Sequence, residues 1–391
     1  MNIKNKKIAI VGGGPGGLTL ARLLQQVGCN VTVYERDINK DYRVQGANLD
    51  LHEESGIRAL EKANLMEAFY ANYLPDAGKL RLMDHRGNIY LDDHTEEHNT
   101  EHRPEIDRGP LRKMLLESLQ ADTVVWDSQF VSMEKERDGW KLLFKNGKQY
   151  YADIVIGSDG ANSKIRPYLS DAKPIYSGVT IIEGTIYEVE KNAPNINSLL
   201  KGGKIFAFGN EQSIILSTKG DGSIAFYTGE KVAENWVKDS GVNFENSAEV
   251  KKWFETNFSN WDGIYHELFA TEKLVIVPRP QYHFPLDQHW QTQNNVTIIG
   301  DAAHRMPPYA GEGVNMAMLD ALELSEALLH SDNVQTAFEQ YESQMFERVK
   351  EVASVTLQNT VEMHKPSALQ YIVDLFNSFQ SFSFNTNREL R

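Results

Sequence analysis

Residues 8–36 read IAIVGGGPGGLTLARLLQQVGCNVTVYER, and the order of patterns inside this stretch decides the fold. Ile8–Val11 is a short, β-branched-rich apolar run stopped by glycine, the signature of a parallel strand buried on both faces. Gly12, Gly14 and Gly17 then complete a GxGxxG. Leu18, Ala21, Leu24 and Gln25 recur at helical spacing up to Gly28, which reads as a C-terminal cap, and a second strand over Val31–Tyr34 ends in Glu35. Each glycine meets a separate demand: Gly12 a sharp turn, Gly14 close approach of the backbone to a pyrophosphate, Gly17 tight packing of helix on strand. The helix start supplies amide hydrogens and a positive dipole end for phosphates. Glu35 is placed to accept hydrogen bonds from ribose hydroxyls. Together these features predict a dinucleotide site.

The rest of the composition narrows the partners. A chain of 391 residues has length for two or three domains, and its 41% apolar and 24% charged residues are ordinary globular values. A net charge of −14 argues against a nucleic-acid partner, because neutralising phosphates needs a basic surface. The lysines near the N-terminus precede an apolar run too short for a secretory signal, and no stretch approaches the length of a membrane helix. A cytoplasmic protein without membrane contact, and a monomer, are the expectations. The single cysteine, Cys29, excludes an internal disulfide framework and reads as a packing residue.

Further along, His94, His98 and His102 fall at four-residue spacing in DDHTEEHNTEH (residues 92–102). Three stacked imidazoles on a helix could hold a metal, but the segment lacks apolar anchors and reads as a solvated loop, so no metal is expected. Residues 78–91 alternate as a hairpin turning at Arg86-Gly87-Asn88. Arg108 and Arg112 share a helix face at i, i+4, where reaching a phosphate or flavin and resting as surface cations fit equally. Ala152–Gly160 is another buried strand, ending in Asp159-Gly160, which places the acid in the crevice where open α/β sheets bind ligands.

Residues 175–277 change texture to alternating β-rich runs with glycine and asparagine turns, a second, largely antiparallel domain inserted into the first. A third buried strand then ends in Gly300-Asp301, close before His304 and the run PPYAGEGVN (residues 307–315) that opens a helix. Asp301 can hold a ribityl hydroxyl. The Gly311-Glu312-Gly313 turn can aim amides and dipole at an electron-rich carbonyl or ring nitrogen. His304 has the commoner role of a hydrogen-bonded core histidine beside that of a proton acceptor. Phe338, Tyr341, Met345, Val349 and Val352 mark a long amphipathic helix over 334–365, and the last fifteen residues are polar enough to fray.

Read together, the 8–36 stretch, DIVIGSDGANSKIR (residues 153–166) and GDAAHRMPPYAGEGVN (residues 300–315) resemble the FAD-dependent aromatic hydroxylases of the para-hydroxybenzoate hydroxylase class. Within that class NLDLH (residues 48–52), the same GDAAHRMPPYAGEGVN and EMHKP (residues 362–366) look like the tetracycline-inactivating flavin monooxygenases. The resemblance implies an α/β fold: a Rossmann-like FAD-binding domain from 1–172 and 278–330, an inserted antiparallel substrate domain over 173–277, and a C-terminal helix, 331–391, bridging them. It implies that Glu35 and Arg36 hold the adenosine half of FAD, Arg108 and Arg112 the phosphate and ribityl region, and Asp159 the flavin neighbourhood. Asp301 would hold ribitol and pyrophosphate, and Gly311, Gly313, Val314 and Asn315 would face the pyrimidine edge of the isoalloxazine.

Asp50, Pro308, Tyr309 and Met363 would sit near the ring and the substrate opening, Ala310 beside them, with Tyr309 replacing a phenylalanine. On the inserted domain Glu183, Lys204 and Ala225 stand where the tetracycline enzymes carry glutamine, arginine and histidine, with Phe206 among them. A lost histidine and an amide turned carboxylate alter affinity, because unpaired buried polar partners are costly. The implied chemistry is a flavin C4a-hydroperoxide delivering one oxygen atom to a phenolic or enolic carbon. NADPH would be a transient reductant, since only one complete GxGxxG is present. No side chain is then indispensable, with Glu183 and His304 the candidates for substrate deprotonation. The competing readings are a NAD-linked dehydrogenase using the first fingerprint alone, and a flavin-containing protein that sequesters a planar ligand.

Overall fold

A computed structural model describes residues 3–41, 48–95, 103–271 and 274–389, with side chains up to residue 378. The chain forms two compact units, one of residues Met1–Tyr73, His102–Ile175 and Tyr282–Thr356, the other of Leu74–Glu101, Tyr176–Gln281 and Leu357–Arg391.

The first unit is built on a five-stranded parallel sheet in the order Val296–Ile298, Ile154–Gly157, Lys7–Val11, Asn30–Tyr34, Val124–Val125. Its central strands are continuous β-branched runs because both faces are covered: Ile8, Ile10, Val33, Ile154, Ile156 and Val296 are all buried. The chain steps from the Lys7–Val11 strand first to one side, pairing Ile8 with Val31, and later to the other, pairing Ile8 with Ile154. Strand order therefore reverses beside the first strand, which opens a crevice at the carboxyl ends of these strands. Helix Pro15–Gln26 packs on helix Gly313–His330, so closely that a Cβ on Gly16 would stand 2.8 Å from the carbonyl oxygen of Ala317. A three-stranded antiparallel sheet (residues 130–152) and a two-strand ladder of Asn48–Asp50 with Glu105–Asp107 complete the unit.

The second unit holds a seven-stranded sheet in the order Val275–His283, Ile175–Ile186, Ile224–Lys231, Gln212–Thr218, Lys204–Gly209, Leu80–Asp84, Ile89–Asp92. One face is covered by a core of Ile182, Ile214, Leu216, Phe226, Phe254 and Phe269, with Trp253 edge-on to Phe258 and Phe269. The Leu80–Asp92 hairpin, assigned from the sequence to the nucleotide-binding part, lies in this sheet instead. Its first strand runs parallel to Lys204–Phe208, pairing Leu82 with Phe206. Alternation marks a hairpin but carries no information about which distant strand its edge will meet.

The C-terminal region is two helices, Val334–Glu362 and Ala368–Glu389, rather than one helix with a frayed tail. Pro366 disfavours helical backbone at Lys365, which separates the two. The first helix belongs to the first unit up to Thr356 and to the second from Leu357.

Candidate functional site

In the first unit the parallel sheet carries Gly12, Glu35, Ser158-Asp159 and Gly300-Asp301 to one edge, since each follows the carboxyl end of its strand. Gly12 has φ +113°, and a Cβ there would lie 2.1 Å from the carbonyl oxygen of Ser158. A Cβ on Gly17 would lie 2.2 Å from the carbonyl oxygen of Gly12. Both glycines are thus demanded by the packing of strand end against helix. Gly14 differs: nothing lies within 4 Å of where its Cβ would be. It caps the helix that starts at Pro15, so the space beside it faces free amides and a positive dipole end. A bare backbone beside open space at a helix start fits a pyrophosphate. Glu35 is buried and turns back onto this loop, accepting from the Gly13 amide at 2.5 Å and from the Asp37 amide at 3.0 Å. Arg36 is exposed.

Three predicted contacts are spent on the protein itself. Arg112, expected beside Arg108 on a phosphate, is buried against Asp37 at 3.0 Å and donates to the Lys40 carbonyl, clamping the segment after the second strand, whereas Arg108 is exposed. Asp159 accepts from the Ser163 hydroxyl at 2.6 Å and the Lys164 amide at 2.7 Å, so its carboxylate shapes the 159–166 turn. Burial pushes that carboxyl up, against the pull of these bonds. His304, proposed as a proton acceptor, is fully buried with Nε2 2.6 Å from Asp320. Asp320 also takes the Gly300 amide at 2.8 Å and Arg348 at 2.6 Å. Burial alone would raise the Asp320 carboxyl, but His304, Arg348 and the amide hold it below its ordinary value. His304 is therefore a brace under the Gly300-Asp301 turn, the core role of the two it could play. Asp301 itself is exposed above it, at the start of a short helix whose cap Gly300 has φ +61°.

Arg166 closes the 153–166 motif, but the sequence gives it no role of its own. It stacks over Phe284 at 3.5 Å and donates to the carbonyls of Ala302 and Ala303, holding the same turn from another side. Burial brings its guanidinium down to about 10. No local pattern announces a cation whose partners lie 136 and 137 residues away.

The run after Asp301 forms the second half of this edge. Pro308 is exposed, Tyr309 buried and Ala310 half-buried. Gly311 has φ +72°, with its Cβ position 3.1 Å from Asp50 Oδ1, and Glu312 precedes the helix that starts at Gly313-Val314. Asn315, wholly buried, donates to the Asp50 carbonyl at 2.9 Å and accepts from the His52 amide at 3.0 Å. Its side chain thereby ties the 50–52 backbone to the helix start. His52, 2% exposed, stands in the sequence only as the end of the NLDLH run, yet its ring lies between two acids: Nε2 is 3.2 Å from Asp50 and Nδ1 3.4 Å from Glu312.

The second unit gathers the predicted substrate residues on one sheet face. Across the strands Glu183 sits opposite Tyr227, Tyr227 opposite Ile215, Ile215 opposite Phe206, and Phe206 opposite Leu82. The adjacent row runs Thr185, Ala225, Ser217, Lys204, Leu80. Side chains two apart share a face, so Glu183, Lys204, Phe206 and Ala225 look out together, opposite the aromatic core. Glu183 is paired with Arg279, which withdraws it from the role of a free base. Arg279 lies two residues beyond the expected domain boundary at 277, so the sequence pattern does not place it beside Glu183. Met363, buried, precedes His364, whose Nε2 lies 3.2 Å from Ser213 Oγ on this same face. Burial draws His364 down to about 4, so it is neutral.

His94 contacts Asp92 and the Leu200 carbonyl, while His98 and His102 lie outside the described residues. Among the described residues no group of three or more His, Cys, Asp or Glu is disposed to hold a metal, and no helix is long and apolar enough to cross a membrane.

The family model described as FAD binding domain matches residues 5–356. The monooxygenase penA of Penicillium thymicola is 26% identical over 430 residues, covering 95% of this chain and 98% of that protein. Klebsiella pneumoniae HpxO, solved with FAD and uric acid, superposes with a TM-score of 0.76 at 20% identity, over 95% of this chain and 93% of its own. Tetracycline destructase Tet(55) superposes with a TM-score of 0.72 at 20% identity, over 93% and 90% of the two chains. At these identities the structural likenesses establish the fold. With the family model spanning most of the chain and a glycine cradle shaped for a pyrophosphate, the chain belongs to the FAD binding domain family and is a flavoprotein whose cofactor is FAD.

Proposed function

We propose that the protein is an NADPH-consuming FAD monooxygenase that hydroxylates a phenolic or enolic polycyclic compound, with tetracycline as the best candidate. FAD, when bound, supplies reduction by the nicotinamide and delivery of one oxygen atom from O2. The chain's own residues do the rest. The open backbone at Gly14 and the helix behind it take the pyrophosphate, Glu35 the adenosine ribose, and Asp301 the ribitol. The amides at Gly313 and Val314 open an 18-residue helix and stabilise negative charge on the pyrimidine edge of the ring. Phe206, Ile215 and Tyr227 offer an apolar ledge for a flat substrate, flanked by Glu183–Arg279 and Lys204 for its polar groups.

The observation that carries this reading is the convergence of the Gly12, Glu35 and Gly300-Asp301 strand ends on one sheet edge in a chain that matches the FAD family over residues 5–356. The paired charge at Glu183, where an uncharged amide is usual in the tetracycline enzymes, supports a second reading in which the substrate is another aromatic metabolite bearing its own charge. Purified protein is mixed with NADPH, air and either tetracycline or a panel of phenolic acids. Loss of the long-wavelength absorbance of tetracycline, with a product heavier by one oxygen atom, establishes the first reading. Oxygenation of a phenolic acid alone establishes the second. Ligand binding without oxygen-dependent NADPH consumption makes the protein a sequestering flavoprotein.

A further inference from the structure

Nothing about the nucleotide cradle requires a histidine between two carboxylates, yet His52 is buried between Asp50 and Glu312, one residue before the helix that starts at Gly313. Glu312 is the residue that caps this helix, so its carboxylate lies at the positive end of the dipole. There it opposes the field that would otherwise act on a ligand in front of the helix. Its Oε2 is enclosed and has no hydrogen-bond partner among the described residues, so the imidazole at Oε1 is the contact placed to offset a charge on Glu312. We propose that His52 is a positioning residue that holds a proton to cancel Glu312, leaving the helix start free to stabilise negative charge on the reduced flavin ring. This rests on the ring facing Gly311–Asn315.

The surroundings favour the cation. Burial alone would lower His52, but Asp50 and Glu312 overcome it and raise the imidazole to about 9. Arg103, 3.9 Å from Asp50, acts weakly the other way. Glu105 on the partner strand, opposite Asp50, and Glu53, next along the chain, add acids. The Gly311 turn and the Asn315 clamp on the 50–52 backbone fix the ring between its two carboxylates, so the charge is placed rather than diffuse.

The test compares affinities of the holoprotein for oxidised and reduced FAD, obtained from its reduction potential by dye equilibration, and follows the His52 ring by NMR across pH. In the wild type the ring stays protonated to about pH 9, and flavin reduction pushes its midpoint higher still, because linkage is reciprocal. H52Q shifts the ratio of affinities about five- to tenfold towards oxidised FAD, the size expected of a charge at a helix terminus. E312Q shifts it the opposite way and lowers the His52 midpoint, and the double variant returns near the wild-type ratio. If H52Q does not fold, E312Q alone decides the outcome. A ratio unmoved in E312Q, or moved in one direction by both single variants, overturns the proposal. A His52 midpoint indifferent to flavin reduction instead shows that the ring does not lie at this turn. Neither measurement requires turnover, so a protein that oxygenates no tested substrate still decides the matter.

Discussion

On the proposed reading, the parallel-sheet edge of the first unit and the half-buried sheet face of the second recognise ligands by different means. The first uses backbone: a left-handed Gly12, an open Gly14, a tight Gly17 and helix starts at Pro15 and Gly313. The second uses side chains on ordinary strands, Glu183, Tyr227, Ile215 and Phe206 in one row, with no unusual backbone at those positions. A backbone device admits one residue type and so constrains the ligand class tightly. A row of side chains on a regular strand can be exchanged with little effect on the fold, so under the proposed function it is the part free to specify the substrate.

The largest expected effect sharpens this contrast inside the glycine loop itself. Gly12→Ala drives a Cβ into the Ser158 carbonyl at 2.1 Å from a backbone with φ +113°. It is expected to cost more than about 3 kcal/mol in stability and to give protein without flavin. Gly14→Ala meets open space at φ −80°, so its melting is expected to match the wild type within about 0.5 kcal/mol while FAD affinity falls at least about tenfold. Visible spectra and thermal melts of the two variants check this, and a Gly14→Ala protein that keeps its flavin would break the comparison.

Next in size, Asp320→Ala strands buried His304 and Arg348 and is expected to cost about 3–5 kcal/mol by denaturant unfolding. Flavin retention falls with it, because Asp320 also holds the Gly300 amide.

His52→Gln should have a pH-dependent effect with a defined sign. The folded imidazole is raised to about 9, above the unfolded value of about 6.5. Its stabilisation is therefore fully present below about pH 6.5, at most about 3 kcal/mol, and is lost as pH rises through 9. The gap in melting temperature between wild type and variant should be widest near pH 6 and close by pH 10.

The smallest expected change in stability belongs to the substrate face. Arg279 is 52% exposed in its pair with Glu183, so Glu183→Gln should move stability by no more than about 1 kcal/mol and leave FAD binding intact. Its effect should fall on KM and on the preference between charged and neutral substrates in steady-state NADPH oxidation. A loss of flavin in this variant would erase the division of labour between the two surfaces.

Legibility follows the same division. Gly12, Gly14 and Gly17 and the Glu35 strand end are readable because their neighbours in sequence are also their neighbours in space. Arg112 misleads because a cation near a phosphate loop and one buried against Asp37 look alike until the partner is known, whereas His304 takes the core role that is commoner for a histidine. Arg279 leaves no signal beyond its residue type, and Arg166 and His52 fall within motifs whose local pattern does not give their partners. The Leu80–Asp92 hairpin is legible as a hairpin but not as part of the second unit, since its pairing with Lys204–Phe208 spans more than a hundred residues.

What the amino-acid order settled by itself was the local chemistry: apolar runs that must be buried strands, glycines where only a bare backbone fits, and helix starts that favour negative charge. Tertiary structure alone decided which ionisable side chains face one another, Glu183 with Arg279, Asp320 with His304 and Arg348, and His52 between Asp50 and Glu312. The physical reason is that backbone geometry is fixed by residues close in sequence, whereas the state of an ionisable side chain is set by whichever distant charges and solvent folding brings to it.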